Sequence, residues 1–319
     1  MKKSVIFAVA LMCVASLFGA SKKKAKAGND KIKIGIINNP PSESGYRAAN
    51  VKDMETVFSA EKGYDVKTFY SMNNDEQLNA FSQFVTEGVD YILLSPADMA
   101  GWTSAFNKAK KAGIKVFLFD RLADVKENLY EAAVVSDMPK EGESAVAWLK
   151  AQNLKEYKVI HLQGHMGSAA QIGRTGALDK EFAAGTMKKV VQQTADWSAD
   201  NAKKIVESVI NSKEDFNVIY AENDDMAKGA VAALDEAGIT HGVNGKVTIM
   251  GFDTNKWALR ELKAGNWNYD GQCSPFQAAI IEDMIKTGKV PSKIIYNPEK
   301  GFDAKTITDS DINTYGLGD

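Results

Sequence analysis

The sequence predicts an α/β protein made of two doubly wound parallel-sheet domains. Three observations predict it. From Ile32 onward, short runs rich in Val, Ile and Phe alternate with stretches of helical spacing, a pattern that implies parallel sheets with helices on both faces. The alternation runs through the chain twice, and each pass ends in an apolar strand that meets an aspartate, Phe119-Asp120 and then Phe252-Asp253. The composition of the 319 residues is that of an ordinary globular chain, 45% hydrophobic and 25% charged. This argues against a disordered, collagenous or multi-span membrane protein. With 39 Lys and Arg against 41 Asp and Glu, the chain lacks the basic excess of a nucleic-acid binder.

The first element is an address. Met1-Lys2-Lys3 precedes an apolar run from Val5 to Phe18, followed by small residues and lysines. That run is shorter than the roughly 20 residues a spanning helix needs, and it reads as a secretory signal. Residues 1–27 are therefore expected to be a signal segment and basic tether. Cys13 invites a lipid anchor, but Met12 before it is too bulky for a good acylation site. The only other cysteine is Cys273, so no disulfide framework is expected. His161, His165 and His241 match no zinc spacing. They read as structural, and a change at His165 is expected to matter little.

Strands follow at 32–37, 65–70, 90–95 and 115–119, then at 157–163, 188–192, 216–221 and 246–252. Such Val- and Ile-rich runs suit strands buried on both faces. Between them, Phe81, Phe84 and Val85, and later Ile205, Val209 and Ile210, mark one face of a helix. A helix over 275–287 and a strand at 293–296 fit back into the first sheet.

Ligands of open α/β sheets bind beyond the carboxyl ends of the strands, and the residues there are informative. Glu43, Tyr46 and Arg47 follow the first strand, and Asp120 and Arg121 the fourth. Arg174 lies on the helix after the fifth, Asn223 follows the seventh, and Asp253 follows the eighth. Carboxylate, guanidinium, amide and phenol together suit a polyhydroxylated ligand. Sugar hydroxyls both donate and accept, planar groups reach two of them at once, and an aromatic ring such as Tyr46 or Trp197 covers the apolar C–H face. An aspartate at a strand end is also the commonest helix cap, and Asp98 and Asp224 are assigned that role. Trp102, Trp148, Trp257 and Trp267 are taken as core or surface anchors.

At these positions the chain resembles the type I periplasmic sugar-binding proteins of ABC importers. The carriers are Ser42-Glu43-Ser44-Gly45-Tyr46-Arg47, Phe119-Asp120-Arg121, Leu162-Gln163-Gly164 through Arg174, Asp196-Trp197, Ala221-Glu222-Asn223-Asp224, Gly251-Phe252-Asp253 and Gln272-Cys273-Ser274-Pro275. The first looks most like the galactofuranose-binding branch. The resemblance implies that Asp120 and Arg121 hold ring hydroxyls from the first domain, and that Arg174, Asn223 and Asp253 hold them from the second. Trp197 would cover the ring with Tyr46 on its other face, Glu43 and Arg47 would form the polar pair of the furanose branch, and Gln272 would be a ligand beside the hinge. Tyr46 stands where that branch often has Trp, and Gln272 where it can have Glu.

The resemblance also implies a three-strand hinge, placed near 136–138, 270–272 and 296–298. One lobe would then comprise 31–136 with 272–296, and the other 137–271 with 297–319. The expected function is extracytoplasmic capture of a monosaccharide, a hexose in furanose or pyranose form, by hinge closure, and its delivery to an ABC transporter permease. A monomer with no cofactor, metal, nucleic-acid partner or enzymatic activity is expected. The alternative is a periplasmic sensor that presents a sugar or quorum signal to a membrane receptor, including a chemoreceptor. A lactose-repressor-type regulator shares the fold, but the segment before Ile32 reads as a signal, not as a helix-turn-helix. Glu43, Asp120 and Asp253 imitate a glycosidase carboxylate pair with no nucleophile–base motif beside them. Asp309 to Asn313 opens like a calcium loop but lacks its glycine, and is taken as a C-terminal turn.

Overall fold

The structure, a computed structural model, describes residues 31–318. The signal and tether expected over 1–27 lie outside the described residues. The strands are β1 (Ile32–Asn38), β2 (Tyr64–Tyr70), β3 (Tyr91–Leu94), β4 (Lys115–Asp120), β5 (Ala132–Val135) and β6 (Lys158–Gln163). They continue as β7 (Lys188–Thr194), β8 (Val218–Ala221), β9 (Thr248–Phe252), β10 (Tyr269–Gly271), β11 (Ile294–Tyr296) and β12 (Gly301–Asp303). The helices are α1 (Gly45–Val57), α2 (Asn74–Glu87), α3 (Thr103–Ala112), α4 (Met138–Ala151) and α5 (Ala169–Ala184). After them come α6 (Ala199–Asn211), α7 (Asp224–Glu236), α8 (Lys256–Ala264), α9 (Ala278–Thr287) and α10 (Asp309–Tyr315).

Two six-stranded sheets result. The first has the order β11-β5-β4-β3-β1-β2 and the second β12-β10-β9-β8-β6-β7. Among the described residues every ladder is parallel except β10 with β12. Parallel strands covered by helices bury both faces. Accordingly Ile34, Ile36, Leu93, Phe117 and Phe119 are buried toward α9, while Ile92, Leu94 and Leu118 are buried toward α2 and α3. Phe119 and Phe252, which end the two apolar strands, are fully buried, each worth roughly 1.5–3 kcal/mol.

The chain passes between the sheets three times: from β5 to α4, from β10 to α9 and from β11 to β12. These crossings hold one another. Ser136 Oγ donates to Glu299 Oε1 at 2.6 Å, the Ser274 amide donates to the same oxygen at 2.7 Å, and the Asn297 amide donates to the Val135 carbonyl.

β5, β10 and β12 were not expected from the sequence. Each is only three or four residues long, and Tyr269-Asp270-Gly271 has none of the β-branched enrichment that marks a strand. Residues 309–315 form a helix instead of the expected turn. Thr308 and Asp311 make a reciprocal capping box at its start, which supplies partners for end N–H groups that a turn would leave to solvent.

Candidate functional site

The first wall of the site grows from the start of α1. Ser44 Oγ accepts the Arg47 amide at 3.2 Å, and this N-cap fixes the first helical turn. Arg47 is fully buried, and its guanidinium is spent on protein partners. Nε donates to Glu43 Oε2 at 2.8 Å, Nη2 to Asp120 Oδ2 at 2.7 Å and Nη1 to Asn38 Oδ1 at 2.7 Å. Tyr46 Oη donates to Asp120 Oδ1 at 2.8 Å and Ser95 Oγ to Asp120 Oδ2 at 2.8 Å. Burial pushes the Glu43 and Asp120 carboxyls up, but Arg47 and then Arg121 outweigh it and hold both below the usual carboxylate range. Arg121 stands 3.4 Å from Asp120 and 3.7 Å from Glu43. Its buried Nε and Nη1 have no hydrogen-bond partner.

The second wall is built around Arg174 on α5. Its Nε donates to Glu141 Oε2 at 2.8 Å, Nη1 donates to the Glu222 carbonyl, and Nη2 lies 3.6 Å from Asp253 Oδ1. The guanidinium rests 4.6 Å over the Phe252 ring. Glu222 is fully buried and locks the strand ends together. It accepts the Gly164 amide at 2.8 Å and Thr175 Oγ1 at 2.6 Å, and faces His161 Nε2 at 2.9 Å. The Trp197 ring packs against Gly164, where a Cβ would come within 1.9 Å of it. The indole Nε1 is buried without a partner. Asn223 caps α7 by accepting the Met226 amide at 2.8 Å, and its Nδ2 reaches the Trp197 carbonyl at 3.4 Å.

The charge balance of the two walls differs. Two arginines face two carboxylates in the first. In the second, burial pushes Asp253 well above the carboxylate range; Arg174 relieves this only in part, and Glu141 adds to it. Asp224 is raised by burial and by Asp270, and burial lifts Asp270 to about 7. Backbone strain marks the same places. Asp120, Trp197 and Asp253 have φ of 62°, 63° and 108°, a region that costs a non-glycine residue roughly 1–3 kcal/mol and gathers at ligand clamps.

The two walls meet. Glu43, Tyr46, Asp120 and Arg121 from one side and Arg174, Trp197, Asn223 and Asp253 from the other line a single space of about 20 Å³. That volume admits about one water, so a larger ligand requires the walls to part. At the rim the Gly45 amide donates to Asp225 Oδ2 at 3.3 Å and the Met99 amide to the Gly167 carbonyl at 3.0 Å. His165 lies between Asp196 at 2.8 Å and Asp98 at 3.1 Å, and so joins the two sides of the opening.

Two expected site residues stand elsewhere. Arg47 is behind the wall and positions Glu43 and Asp120. Gln272 lines a separate cavity of about 530 Å³ at the crossings, with Glu141 and Glu299. Asp98 and Asp224 are not the caps that the sequence suggested. Asn223 caps α7, and Asp224 Oδ2 instead accepts the Asn255 amide at 2.8 Å. His165 is more than structural, because it spans the rim. Met138, Ala170 and Cys273 also line the space, and Glu141 and Glu222 orient Arg174. A lone Glu in a first helical turn gave no signal for that role; Glu222 was visible only as one letter of the Ala221–Asp224 motif.

The arrangement offers unsatisfied donors from Arg121 and Trp197, ionised acceptors from Glu43 and Asp120, and two aromatic faces. It is suited to gripping hydroxyls from two sides at once. The chain is similar to several known sugar-binding proteins. The chain is 32% identical to the fructose import binding protein of Bifidobacterium longum, over 97% of this chain and 96% of the relative. It is 33% identical to the galactofuranose-binding protein of Escherichia coli, over 79% and 82%. A solved galactofuranose-binding protein superposes with a TM-score of 0.81 at 28% identity, covering 89% of this chain and 98% of the other. A Mycobacterium smegmatis protein in complex with β-D-fucofuranose gives 0.77 at 26%, covering 86% and 92%. These relatives are binding proteins with the same paired sheets of the type I periplasmic fold. The profile of the periplasmic binding protein domain runs from residue 34 to 297 and takes in both walls, and the chain belongs to that family.

Proposed function

We propose that this protein is an extracytoplasmic receptor that captures a monosaccharide, with the furanose ring favoured, and delivers it to an ABC importer. The observation that carries the reading is the convergence of unpartnered, buried Arg121 and Trp197 donors with the Glu43 and Asp120 carboxylates on one space between two sheets. Buried polar atoms without partners cost about 1–3 kcal/mol each, and ring hydroxyls satisfy them. The preference for a furanose rests on the likeness of Ser42-Glu43-Ser44-Gly45-Tyr46-Arg47 to the galactofuranose-binding branch and on relatives named for galactofuranose and fucofuranose. The three crossings act as a hinge. Contacts from both walls exist only in the closed form, so ligand favours closure. The segment over 1–27 exports the chain, and the closed monomer docks on the permease. On this reading the protein binds its sugar without converting it, because the Glu43 and Asp120 carboxylates are paired to arginines.

The test is to purify the protein gently, denature it and identify any released small molecule by mass spectrometry. A thermal-shift panel of galactose, arabinose, ribose, glucose and fructose follows. At a hundred times Kd a bound sugar adds about 2.7 kcal/mol of stability. A released monosaccharide or a saturable shift supports the reading. A non-sugar ligand, or a panel without a saturable shift, overturns it.

A further inference from the structure

Beside the sugar space, the three crossings bring together three side chains that can each offer an atom to a metal ion. Glu141 comes from the first turn of α4, Cys273 from the β10–α9 connection and Glu299 from the β11–β12 connection. One ligand atom from each lies within 4.8 Å of the other two. Cys273 is 2% exposed and Glu141 7% exposed. Glu141 uses Oε2 for both Nε and Nη2 of Arg174, and its buried Oε1 makes no hydrogen bond within 3.5 Å, although Glu299 and the Cys273 thiol stand close enough to lower the proton affinity of the carboxyl. A buried carboxylate oxygen without a partner is a costly arrangement unless something is meant to meet it. Glu141 and Glu299 also open onto the cavity of about 530 Å³, which gives solvent and ions a route in.

We propose that Glu141, Cys273 and Glu299 form a binding site for a divalent cation of the zinc class. One thiolate and two carboxylates supply three of four tetrahedral positions, and the cavity leaves the fourth to water. The thiolate selects zinc over calcium or magnesium, which take oxygen ligands alone. On binding, the Cys273 thiol gives its proton to solvent and its sulfur pair to the metal. Because each ligand comes from a different crossing, the ion ties the three connections together. Histidine spacing, the usual sequence guide to zinc, cannot reveal this site.

The experiment uses the full chain, stripped with a chelator, and reads metal without reference to any sugar, so it stands or falls apart from the proposed function. Zinc is titrated by calorimetry, and cobalt(II) is added separately while the near-ultraviolet absorbance is followed. One equivalent of zinc and a sulfur-to-cobalt charge-transfer band are expected. Cys273→Ser should abolish the band, and Glu299→Gln, which keeps acceptors for Ser136 and Ser274, should weaken zinc at least about tenfold. If Cys273→Ser does not fold, as judged by circular dichroism, Glu299→Gln and the cobalt band of the unaltered chain decide. No saturable zinc binding, no sulfur-to-cobalt band, or zinc binding undiminished in Glu299→Gln overturns the proposal.

Discussion

The Arg121 guanidinium carbon stands 5.8 Å from the centre of the Trp197 ring, and the two side chains follow strands of different sheets, β4 and β7. The contact is a clasp across the proposed sugar space, with unpartnered nitrogens on both sides. Arg121→Ala should therefore cost at least about 2 kcal/mol of sugar binding. Asp253→Ala should cost a similar amount. Calorimetry with the identified sugar measures this, and wild-type affinity in both variants would sink the site assignment.

Gly164→Ala tests the floor under the indole. A Cβ there would fall 1.9 Å from the Trp197 ring, far inside contact distance, so the ring must swing away from the space. Sugar affinity should fall at least about tenfold, which is near 1.4 kcal/mol, and the tryptophan emission should move to longer wavelength. An unchanged spectrum with unchanged affinity would mean that Trp197 has no part in binding.

His165 is expected to set residence time. It lies between Asp196 and Asp98 across the rim, and these partners are partly exposed. Half-exposed pairs contribute about 0–1 kcal/mol, so His165→Ala should speed sugar release by up to about fivefold. Stopped-flow displacement reads the rate. A larger fall in the association rate than rise in the release rate would assign His165 to capture and not to the clasp.

The second wall should make the protein less stable as pH rises. Burial lifts Asp270 to about 7, while an unfolded aspartate titrates near 4. A raised folded value means that stability is full below about 4 and declines until pH passes about 7. The Thr254 amide, a hydrogen bond with Asp224 from α7 and the charge of Arg174 from α5 oppose that rise without cancelling it, while Asp224 is itself raised by burial and by Asp270. Glu43 and Asp120, held low by Arg47, act in the opposite sense and lose their contribution only in acid. Asp270→Asn keeps the acceptor for the Thr254 amide and should flatten the decline. Urea midpoints between pH 5 and 8 settle it, and parallel slopes in the two proteins would refute it.

The fold was legible because β1, β4, β6 and β9 are long apolar runs whose period leaves little choice, and because Phe119-Asp120 and Phe252-Asp253 mark equivalent strand ends. Most wall residues were legible for the same reason: strand ends in such sheets converge. Arg47 was misplaced because its sequence neighbours cannot show that Glu43, Asp120 and Asn38 would use up its nitrogens. Gln272 was misplaced because β10 is three residues long and its exit direction depends on pairing with β12. Sequence spacing cannot show that Glu141 of α4 meets Arg174 of α5, since that pair forms only when the two helices pack.

Asp253 combines a backbone at φ 108° with a carboxyl that burial pushes up, so both of its properties tax the sugar-free protein. A laboratory population selected for heat tolerance alone, in medium without sugar, would drift at this position toward glycine or asparagine. Its winners would be tougher molecules with a weaker hold on the proposed sugar.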